Sequence, residues 1–503
     1  MPSKFMLTLP LLLAVVWLKA QTPETLVVTP EKPLLVKDSA LRTQVIAWSK
    51  GQQQSTNNKQ IKAHPSAGVF PGDVKSGAKP VTTMVRIKHE PISPKLRPIA
   101  DRLVFSNPQS PTMYSTGLYA APGAEITITL PDSLQSRSLA ICIGVHTDEL
   151  YVWGAETQDW RRMPAITKTQ SVKGKTLKIA SPFGGLVYLV APRDAKAFDS
   201  QVKISGAIAA PYFKLGEITG EQWQAMLRDN KAPWGELASP NLIITIPDSV
   251  MQQIKDPVSV MKLWETIIQG EMELAQLPQP FYRAQRLVLD EHMCAGAMHS
   301  GYPIMIHHSP SQHMISADVI ADPKKLLKPS KGGANWGFFH ELGHNMQNYD
   351  LVFNGTTEVS CNFFSLYMFD RLMGGRDGAH ECVSNEYTMG LMKSYFADGA
   401  RYEHWVQEPF LGLIMFRQLQ ESFGWETFKT FFRTYHDAAL ASPEMKEISE
   451  AEKRDQFVIN FSKAAKRNLA PFFMKWGIPV STYAAGELAQ FETWMPYNYS
   501  SAN

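Results

Sequence analysis

The chain has few cysteines, and their spacing is not that of a thiolate site. Four cysteines occur in 503 residues, none in a C-x-x-C pair: Cys142, Cys294, Cys361 and Cys382. This pattern argues against a disulfide framework and against a zinc site built from thiolates. A metal site would therefore have to use histidines and carboxylates.

Neither sign of charge dominates the composition. Fifty Lys and Arg residues face 47 Asp and Glu residues, which gives a formal net charge of +3. This balance disfavours charge-driven binding to nucleic acid. The hydrophobic share of 44% and charged share of 19% are typical of a folded protein. The length exceeds the roughly 250–300 residues at which single cores stop growing, so two or three domains are expected.

Long apolar runs are also missing. Residues 5–18 form an apolar run behind Lys4 that is shorter than the roughly 20 residues of a membrane span. Its length matches the core of a signal peptide, so we expect residues 1–20 to be removed near Ala20 and the protein to be secreted, periplasmic or at the cell surface. Cleavage would remove Lys4 and Lys19 and lower the net charge to +1. The alternative is a buried N-terminal helix.

The pattern of apolar residues changes along the chain and predicts a multidomain α+β protein. Residues 21–80 include the polar run 49–58 and are predicted to be a linker or an unassigned N-terminal segment. A period of two over residues 81–205 predicts a β-rich, sandwich-like domain. Residues 206–400 show a mixed α+β pattern, and residues 401–503 predict a helical C-terminal subdomain.

Histidine is distributed unevenly. Seven of the thirteen histidines lie between residues 292 and 344: His292, His299, His307, His308, His313, His340 and His344. The last two belong to an H-E-x-x-H motif, HELGH. On a helix both imidazoles share one face and can bind one Zn²⁺, while Glu341 is left to act as general base. Zinc lowers the pKa of a water toward about 7, and a carboxylate takes its proton.

The residues around this motif favour a helix. Asn335 is the predicted N-cap, and the apolar face would contain Trp336, Phe339, Gly343 and Met346. A glycine in a helix interior costs about 1 kcal/mol relative to alanine, so Gly343 predicts the close approach of a neighbouring backbone. The alternative is a solvated helix that carries two ordinary histidines.

A catalytic zinc takes three protein ligands and keeps a position for water. A second helix is predicted from about residue 356 to 375, with Glu358 in its first turn and 14 residues after His344. Glu358 is the predicted third ligand, and the alternative is an acid that complements the helix N-terminus. Asn362 lies one turn later on the same face, where it is predicted to orient a ligand by a hydrogen bond.

Two segments, residues 336–347 (WGFFHELGHNMQ) and 357–362 (TEVSCN), closely resemble the M60, or enhancin-like, zinc metallopeptidases. The resemblance extends over about residues 80–480 and includes segments 115–123, 232–237, 298–305 and 472–479. It implies a gluzincin-type catalytic domain with one Zn²⁺. The ligands would be His340, His344 and Glu358, with Glu341 as general base.

The resemblance also implies a class of substrate. Many bacterial members of this family are secreted and cleave mucin-type glycoproteins beside O-linked glycans. We therefore expect a secreted zinc endopeptidase that acts on O-glycosylated, mucin-like proteins. The alternatives are a zinc protease indifferent to glycans and a non-catalytic glycan-binding adhesin, in which Trp153 and Trp160 would stack on sugars. Which O-glycan is recognised stays open.

Other residues are candidates for contact with substrate. Residues 301–306 are predicted to form an edge strand that pairs with substrate backbone, in which Tyr302 either contacts substrate or packs. His307 and His308 would point to opposite faces of a strand and are not predicted ligands. The reaction also needs an oxyanion stabiliser, for which the candidates are Tyr387, Tyr395, Tyr402 and His404.

Overall fold

A computed structural model describes residues 21–308 and 316–496 of the chain. The predicted signal segment and His313 lie outside the described residues. Within them, an N-terminal segment is followed by a β-rich region, an α+β region and a helical C-terminal region. The predicted fold class, multidomain α+β, is confirmed.

The β-rich region is an antiparallel sheet that folds over a shared apolar core. Its strands are β1 (Val81–His89), β2 (Thr112–Ala120), β3 (Ile126–Thr129), β4 (Ala140–Ile143), β5 (Lys168–Ser171), β6 (Thr176–Ile179), β7 (Gly185–Ala191) and β8 (Phe198–Ala209). Their order is β5-β4-β7-β2-β8-β3-β6, and β1 also pairs with β8. Alternate residues such as Ile126, Ile128, Ile141 and Ile143 fill the core, as the period of two predicts.

A second, mixed sheet lies in the α+β region. Its strands are β9 (Tyr212–Lys214), β10 (Trp234–Ala238), β11 (Leu242–Pro247), β12 (Gln285–Asp290), β13 (Met298–His299) and β14 (Ile304–His307), in the order β13-β14-β12-β11-β10-β9. The prediction of an edge strand over residues 301–306 is wrong. The chain reverses at Gly301, where φ is 134°, so β13 pairs back on β14 and itself forms the edge.

The helices of the described residues are α1 (Ser39–Gln54), α2 (Arg97–Asp101), α3 (Gly220–Asp229), α4 (Asp248–Met251), α5 (Pro257–Leu274), α6 (Ser316–Ile320), α7 (Pro323–Leu326), α8 (Ala334–Met346), α9 (Thr357–Met373), α10 (Asn385–Ala397), α11 (Tyr402–Gln407), α12 (Pro409–Ala441), α13 (Glu450–Ala465), α14 (Ala470–Lys475) and α15 (Thr482–Leu488). Helix α5 packs against both α8 and α9. In this part of the chain, no helix has the length and apolar character that a membrane span requires.

The N-terminal segment packs on the β-rich region. The predicted loop over residues 49–58 is wrong for its first six residues, because α1 continues to Gln54. The Arg42 guanidinium lies 3.7 Å from the centre of the Trp160 ring, and Trp48 contacts Phe183 edge-on. Few side chains of α1 are buried, so its sequence has no apolar stripe by which a helix could be recognised.

One buried ion pair and a buried hydrogen bond from a second arginine join the β-rich region to the second sheet. Arg162 donates to both carboxylate oxygens of Asp290 at 2.7 and 2.8 Å. Arg286 donates to Glu236 at 2.8 Å and to the Met113 carbonyl at 2.7 Å. A buried charge that loses its partner is costly, so the Arg162–Asp290 pair and the Arg286 hydrogen bond to Met113 hold the two regions in one relative position.

Replacing Asp290 with alanine should lower the free energy of unfolding by about 3–5 kcal/mol, because it leaves the Arg162 charge buried without its partner. The change is measured by urea unfolding. The matched control is Asp199→Ala, which breaks the solvent-exposed pair with Arg86 and should have little effect. Equal midpoints for the two variants would contradict the structural role of the buried pair.

Candidate metal centre

The HELGH motif lies in α8, which is buried on most of its faces. The predicted N-cap is wrong, because the helix begins at Ala334 with Gly333 as its N-cap. Asn335 instead donates to the carbonyls of Leu326 and Lys328 at 3.1 and 2.9 Å. It therefore anchors the preceding turn, so the motif starts from a fixed position.

The second predicted helix is confirmed as α9, with Glu358 in its first turn. Helices α8 and α9 approach each other closely at Gly343. A Cβ atom at this position would lie 2.8 Å from the Cβ of Phe364 and 3.0 Å from the carbonyl oxygen of Cys361. The predicted approach of a neighbouring backbone is thus confirmed, and it brings Glu358 to the histidine face of α8.

The structure brings the three predicted ligands together. The Glu358 carboxylate lies 3.2 Å from His340 Nε2 and 3.5 Å from His344 Nε2. Cys361 is a fourth member, and one donor atom from each of the four residues lies within 4.8 Å of the others. The spacing of the cysteines had argued against a thiolate here. His307 and His308 are outside this cluster.

Asn362 sets the orientation of His340. Its Oδ1 atom accepts from His340 Nδ1 at 2.7 Å and from Trp336 Nε1 at 3.1 Å. The indole N–H can only donate, so the amide must present its oxygen to both groups. His340 therefore carries a proton on Nδ1, so Nε2 is the atom that would bind a metal.

Gln347 does the same for His344. Its Oε1 atom lies 2.9 Å from His344 Nδ1, while its Nε2 donates to the Thr357 carbonyl at 2.5 Å and to Ser360 Oγ at 2.6 Å. These two acceptors fix the amide, so the imidazole donates from Nδ1. The sequence pattern did not single out Gln347, although its place three residues after His344 is a signal of contact.

The electrostatics of the cluster favour a cation. Hydrogen bonds from His340 and His344 hold the pKa of Glu358 well below its usual range. Burial lowers the pKa of both histidines, but Cys361 and Glu358 raise it by more, so it lies well above the ordinary value. Two imidazole nitrogens and one carboxylate oxygen form a donor set that catalytic Zn²⁺ uses. The residues present therefore fit a zinc ion.

A second pair of charged groups lies near Glu341. His299 Nε2 bonds to Asp148 at 2.8 Å and its Nδ1 bonds to the Ser300 carbonyl at 2.9 Å, so both ring nitrogens donate. Burial lowers the pKa of His299, and Asp148 together with Glu341 raises it by more. The sequence could not assign His299 a role, because Asp148 is 151 residues away in the β-rich region.

Tyr302 has the contacts of a packing residue. Its ring lies 3.7 Å from the Arg283 guanidinium, and its hydroxyl accepts from the Met113 backbone at 3.2 Å. The residue is only 9% exposed. Tyr302 is not part of the donor cluster, and its contact with substrate stays a prediction.

The four candidates for oxyanion stabilisation differ in their partners. Tyr395 is buried and donates to the Trp476 carbonyl at 2.8 Å, and Tyr402 donates to the Asn354 carbonyl at 3.0 Å. His404 faces Asp398 at 3.6 Å. Tyr387 is 37% exposed at the start of α10. The role of oxyanion stabiliser stays a prediction for these four residues.

Comparison with protein families gives two matches. The family described as peptidase M60, enhancin and enhancin-like matches residues 206–477. The N-terminal domain of M60-like peptidases matches residues 100–205. The first match alone covers more than half of the chain, and it includes every residue of the donor cluster.

Curated relatives are TRPM8 channel-associated factors. Factor 3 of Rattus norvegicus is 34% identical over 405 residues, which is 80% of this chain and 42% of that protein. Factor 2 of Homo sapiens is 34% identical over 404 residues, again 80% of this chain and 42% of that protein. The chain therefore spans less than half the length of these relatives.

Solved structures share the fold. A protein of unknown function from Bacillus anthracis, solved as a mutant, has a TM-score of 0.62 and 20% identity, covering 83% of this chain and 80% of its own. A metallopeptidase from Bacteroides thetaiotaomicron has a TM-score of 0.59 and 18% identity, and the match covers 81% of this chain and 71% of that protein. IMPa from Pseudomonas aeruginosa, in complex with an O-glycopeptide, has a TM-score of 0.58 and 15% identity, and the match covers 91% of this chain and 63% of that protein.

Replacing Gly343 with alanine should separate α8 from α9, because the added methyl group meets Phe364 and the backbone of Cys361. We expect a loss of bound zinc and a fall of about 1–3 kcal/mol in the free energy of unfolding. Metal analysis and urea unfolding measure both. The control is Gly390→Ala in α10. A Cβ atom there would have no neighbouring side chain or element within 4 Å, so stability should not fall. Full zinc content in Gly343→Ala would contradict the role of this contact.

Replacing Asn362 with alanine should weaken zinc binding by about 10–100-fold, because His340 loses the acceptor that orients it. Competition with a chromophoric chelator measures the affinity. Asn385→Ala, at an exposed position on α10, is the control and should bind zinc like the wild type. An unchanged affinity in Asn362→Ala would rule out the orienting role.

Proposed function

The chain belongs to the peptidase M60, enhancin and enhancin-like family, and on that basis we propose that it is an exported zinc endopeptidase that cleaves O-glycosylated, mucin-like proteins. The observation that carries the proposal is the meeting of His340, His344 and Glu358 on two adjacent helices, with Glu341 directly after the first histidine. Export rests on residues 1–20 and is checked by N-terminal sequencing of protein recovered outside the cytoplasm, which should begin near Gln21.

The proposed mechanism assigns a role to each side chain. His340, His344 and Glu358 would hold Zn²⁺ through imidazole nitrogens that lie 3.2 and 3.5 Å from the Glu358 carboxylate. When bound, the ion supplies a water of lowered pKa and polarises the scissile carbonyl. Glu341 takes the proton from the attacking water and passes it to the leaving amine. Asn362 and Gln347 keep both imidazoles in the required tautomer.

We propose that the peptide substrate binds along β13, which ends the second sheet. An extended peptide gains main-chain hydrogen bonds when it adds to a sheet edge. The turn after this strand is tied to α8, because Asn345 accepts from the Gly301 N–H at 3.0 Å and donates to its carbonyl at 2.9 Å. Substrate bound at this edge is thereby aligned with the helix that carries Glu341.

The glycan requirement is supported by likeness and by charge. IMPa, whose fold matches 91% of this chain, was solved with an O-glycopeptide. A net charge of +3, or +1 after export, leaves no strong field that would select acidic partners. Shaped, largely neutral contacts with sugars and peptide backbone are consistent with that balance.

A second candidate is a binding protein without catalysis. It is favoured by the 34% identity to proteins that are named for association with the TRPM8 channel. For a sugar-binding adhesin, Trp153 is 73% exposed and available, whereas Trp160 is 1% exposed and belongs to the core. A binding module does not need a carboxylate such as Glu341 next to three metal donors, so we prefer the peptidase.

The test uses a defined O-glycopeptide and its unglycosylated twin, each incubated with and without a chelator and analysed by mass. We expect cleavage of the glycopeptide alone, its loss with chelator, and its loss in Glu341→Gln, because that variant removes the base but keeps the metal donors. Metal analysis confirms that the variant still binds zinc.

Three other outcomes would each change the conclusion. Cleavage of both peptides would identify a protease indifferent to glycans. Binding of the glycopeptide without cleavage by the zinc-loaded wild type would favour the adhesin. Wild-type cleavage by Glu341→Gln would contradict the proposed mechanism.

A further inference from the structure

Cys361 is the member of the cluster that the proposed mechanism does not use. It lies one turn after Glu358 on α9 and is fully buried. Its Sγ atom lies 3.5 Å from His340 Nε2 and 3.8 Å from the Glu358 carboxylate. The thiol also donates to the Glu358 carbonyl at 3.2 Å.

Four of the six separations among the donor atoms are close to those of a tetrahedral ligand set. Zinc binds nitrogen and oxygen at about 2.0–2.2 Å and sulfur at about 2.3 Å, so tetrahedral ligands lie about 3.3–3.7 Å apart. The two histidine-to-Glu358 separations are 3.2 and 3.5 Å, and sulfur lies 3.5 Å from His340 Nε2 and 3.8 Å from Glu358, so all four are within about 0.1 Å of that range. Sulfur thus lies at the distance expected of a ligand.

The position of Cys361 is also built into the contact between the helices. The space that Gly343 leaves is occupied by the carbonyl oxygen and Cα of Cys361, 3.0 and 3.2 Å from where a Cβ would stand. The backbone of Cys361 is therefore pressed against α8 between the two histidines of the motif. The contact fixes the Cα of Cys361 beside the cluster, and rotation about χ1 decides whether its thiol reaches the metal position.

We propose that Cys361 is a fourth protein donor to the metal, so that the resting site has two histidines, one glutamate and one cysteine. The proposal rests on the metal site assigned above. Sites with four protein donors are closed, whereas catalytic sites keep a position for water. Cys361 and water therefore compete for one position, and the thiol limits the fraction of the protein that is ready for catalysis.

The experiment replaces zinc with Co²⁺ in the mature protein and records its absorption spectrum. A thiolate donor adds a sulfur-to-cobalt charge-transfer band in the near ultraviolet, apart from the ligand-field bands that any bound cobalt shows. We expect this band in the wild type and in Cys382→Ser, whose cysteine lies outside the cluster. It should be lost in Cys361→Ser and Cys361→Ala, with the ligand-field bands of one cobalt retained.

Serine is the matched variant because its hydroxyl keeps a hydrogen bond to the Glu358 carbonyl but supplies no sulfur. A purely structural role of the thiol predicts a wild type without the band and wild-type metal affinity in Cys361→Ser. A donor role predicts the band and at least about a tenfold loss of affinity in both variants, since loss of an outer hydrogen-bond partner already costs about 10–100-fold. With saturating zinc, Cys361→Ser should cleave the glycopeptide severalfold faster than the wild type.

The outcomes separate this inference from the proposed function. If the wild type binds one cobalt without the band, or if the band survives in Cys361→Ala, Cys361 is not a donor and the peptidase assignment is unaffected. If the band is lost as expected but cleavage is no faster, the thiol is a donor and its limiting effect on catalysis is refuted. If the wild type binds no more cobalt than His340→Ala, the metal site itself is wrong.

Discussion

The contact between α8 and α9 at Gly343 is the constraint on which the candidate site depends. A metal centre needs donor atoms from separate elements at fixed separations, and such precision comes from closely packed helices. At Gly343 the backbone of α8 lies directly against the Cβ of Phe364 and the backbone of Cys361. That contact places Glu358 opposite His340 and His344, and it also brings Cys361 into the cluster. The same glycine therefore allows the donor set and decides that it includes sulfur.

Hydrogen bonds between the two helices then determine which nitrogen each histidine presents. Asn362 and Gln347 each fix an imidazole through an amide that is itself fixed by a second partner. Asn362 carries no charge, so it orients His340 without the added basicity that a carboxylate would give. The imidazoles are thus held in position while the metal would stay a stronger Lewis acid than with an aspartate at this position.

The β-rich region is part of the site rather than a separate module. It supplies Asp148 to His299 and Arg162 to Asp290, so groups near Glu341 and at the end of β12 depend on both regions. Family membership covers both as well, with matches over residues 100–205 and 206–477. The relatives named for channel association are 34% identical to this chain over 80% of its length. The fold by itself therefore does not separate catalysis from binding, which makes Glu341 and the donor cluster the residues to test.

The sequence by itself determined which functional residues share a face within a single helix. Helical periodicity places His340 with His344, and Glu358 with Asn362, on shared faces, because residues four apart are neighbours on any helix. The sequence could not exclude Cys361 as a metal donor. The spacing of the cysteines argued against a thiolate, but spacing reports only on local motifs and not on donors from another helix. Only the tertiary structure decided that β13 forms the sheet edge, that His299 meets Asp148, and that sulfur joins the donors. These contacts join residues up to 151 positions apart, and their geometry depends on how whole elements pack.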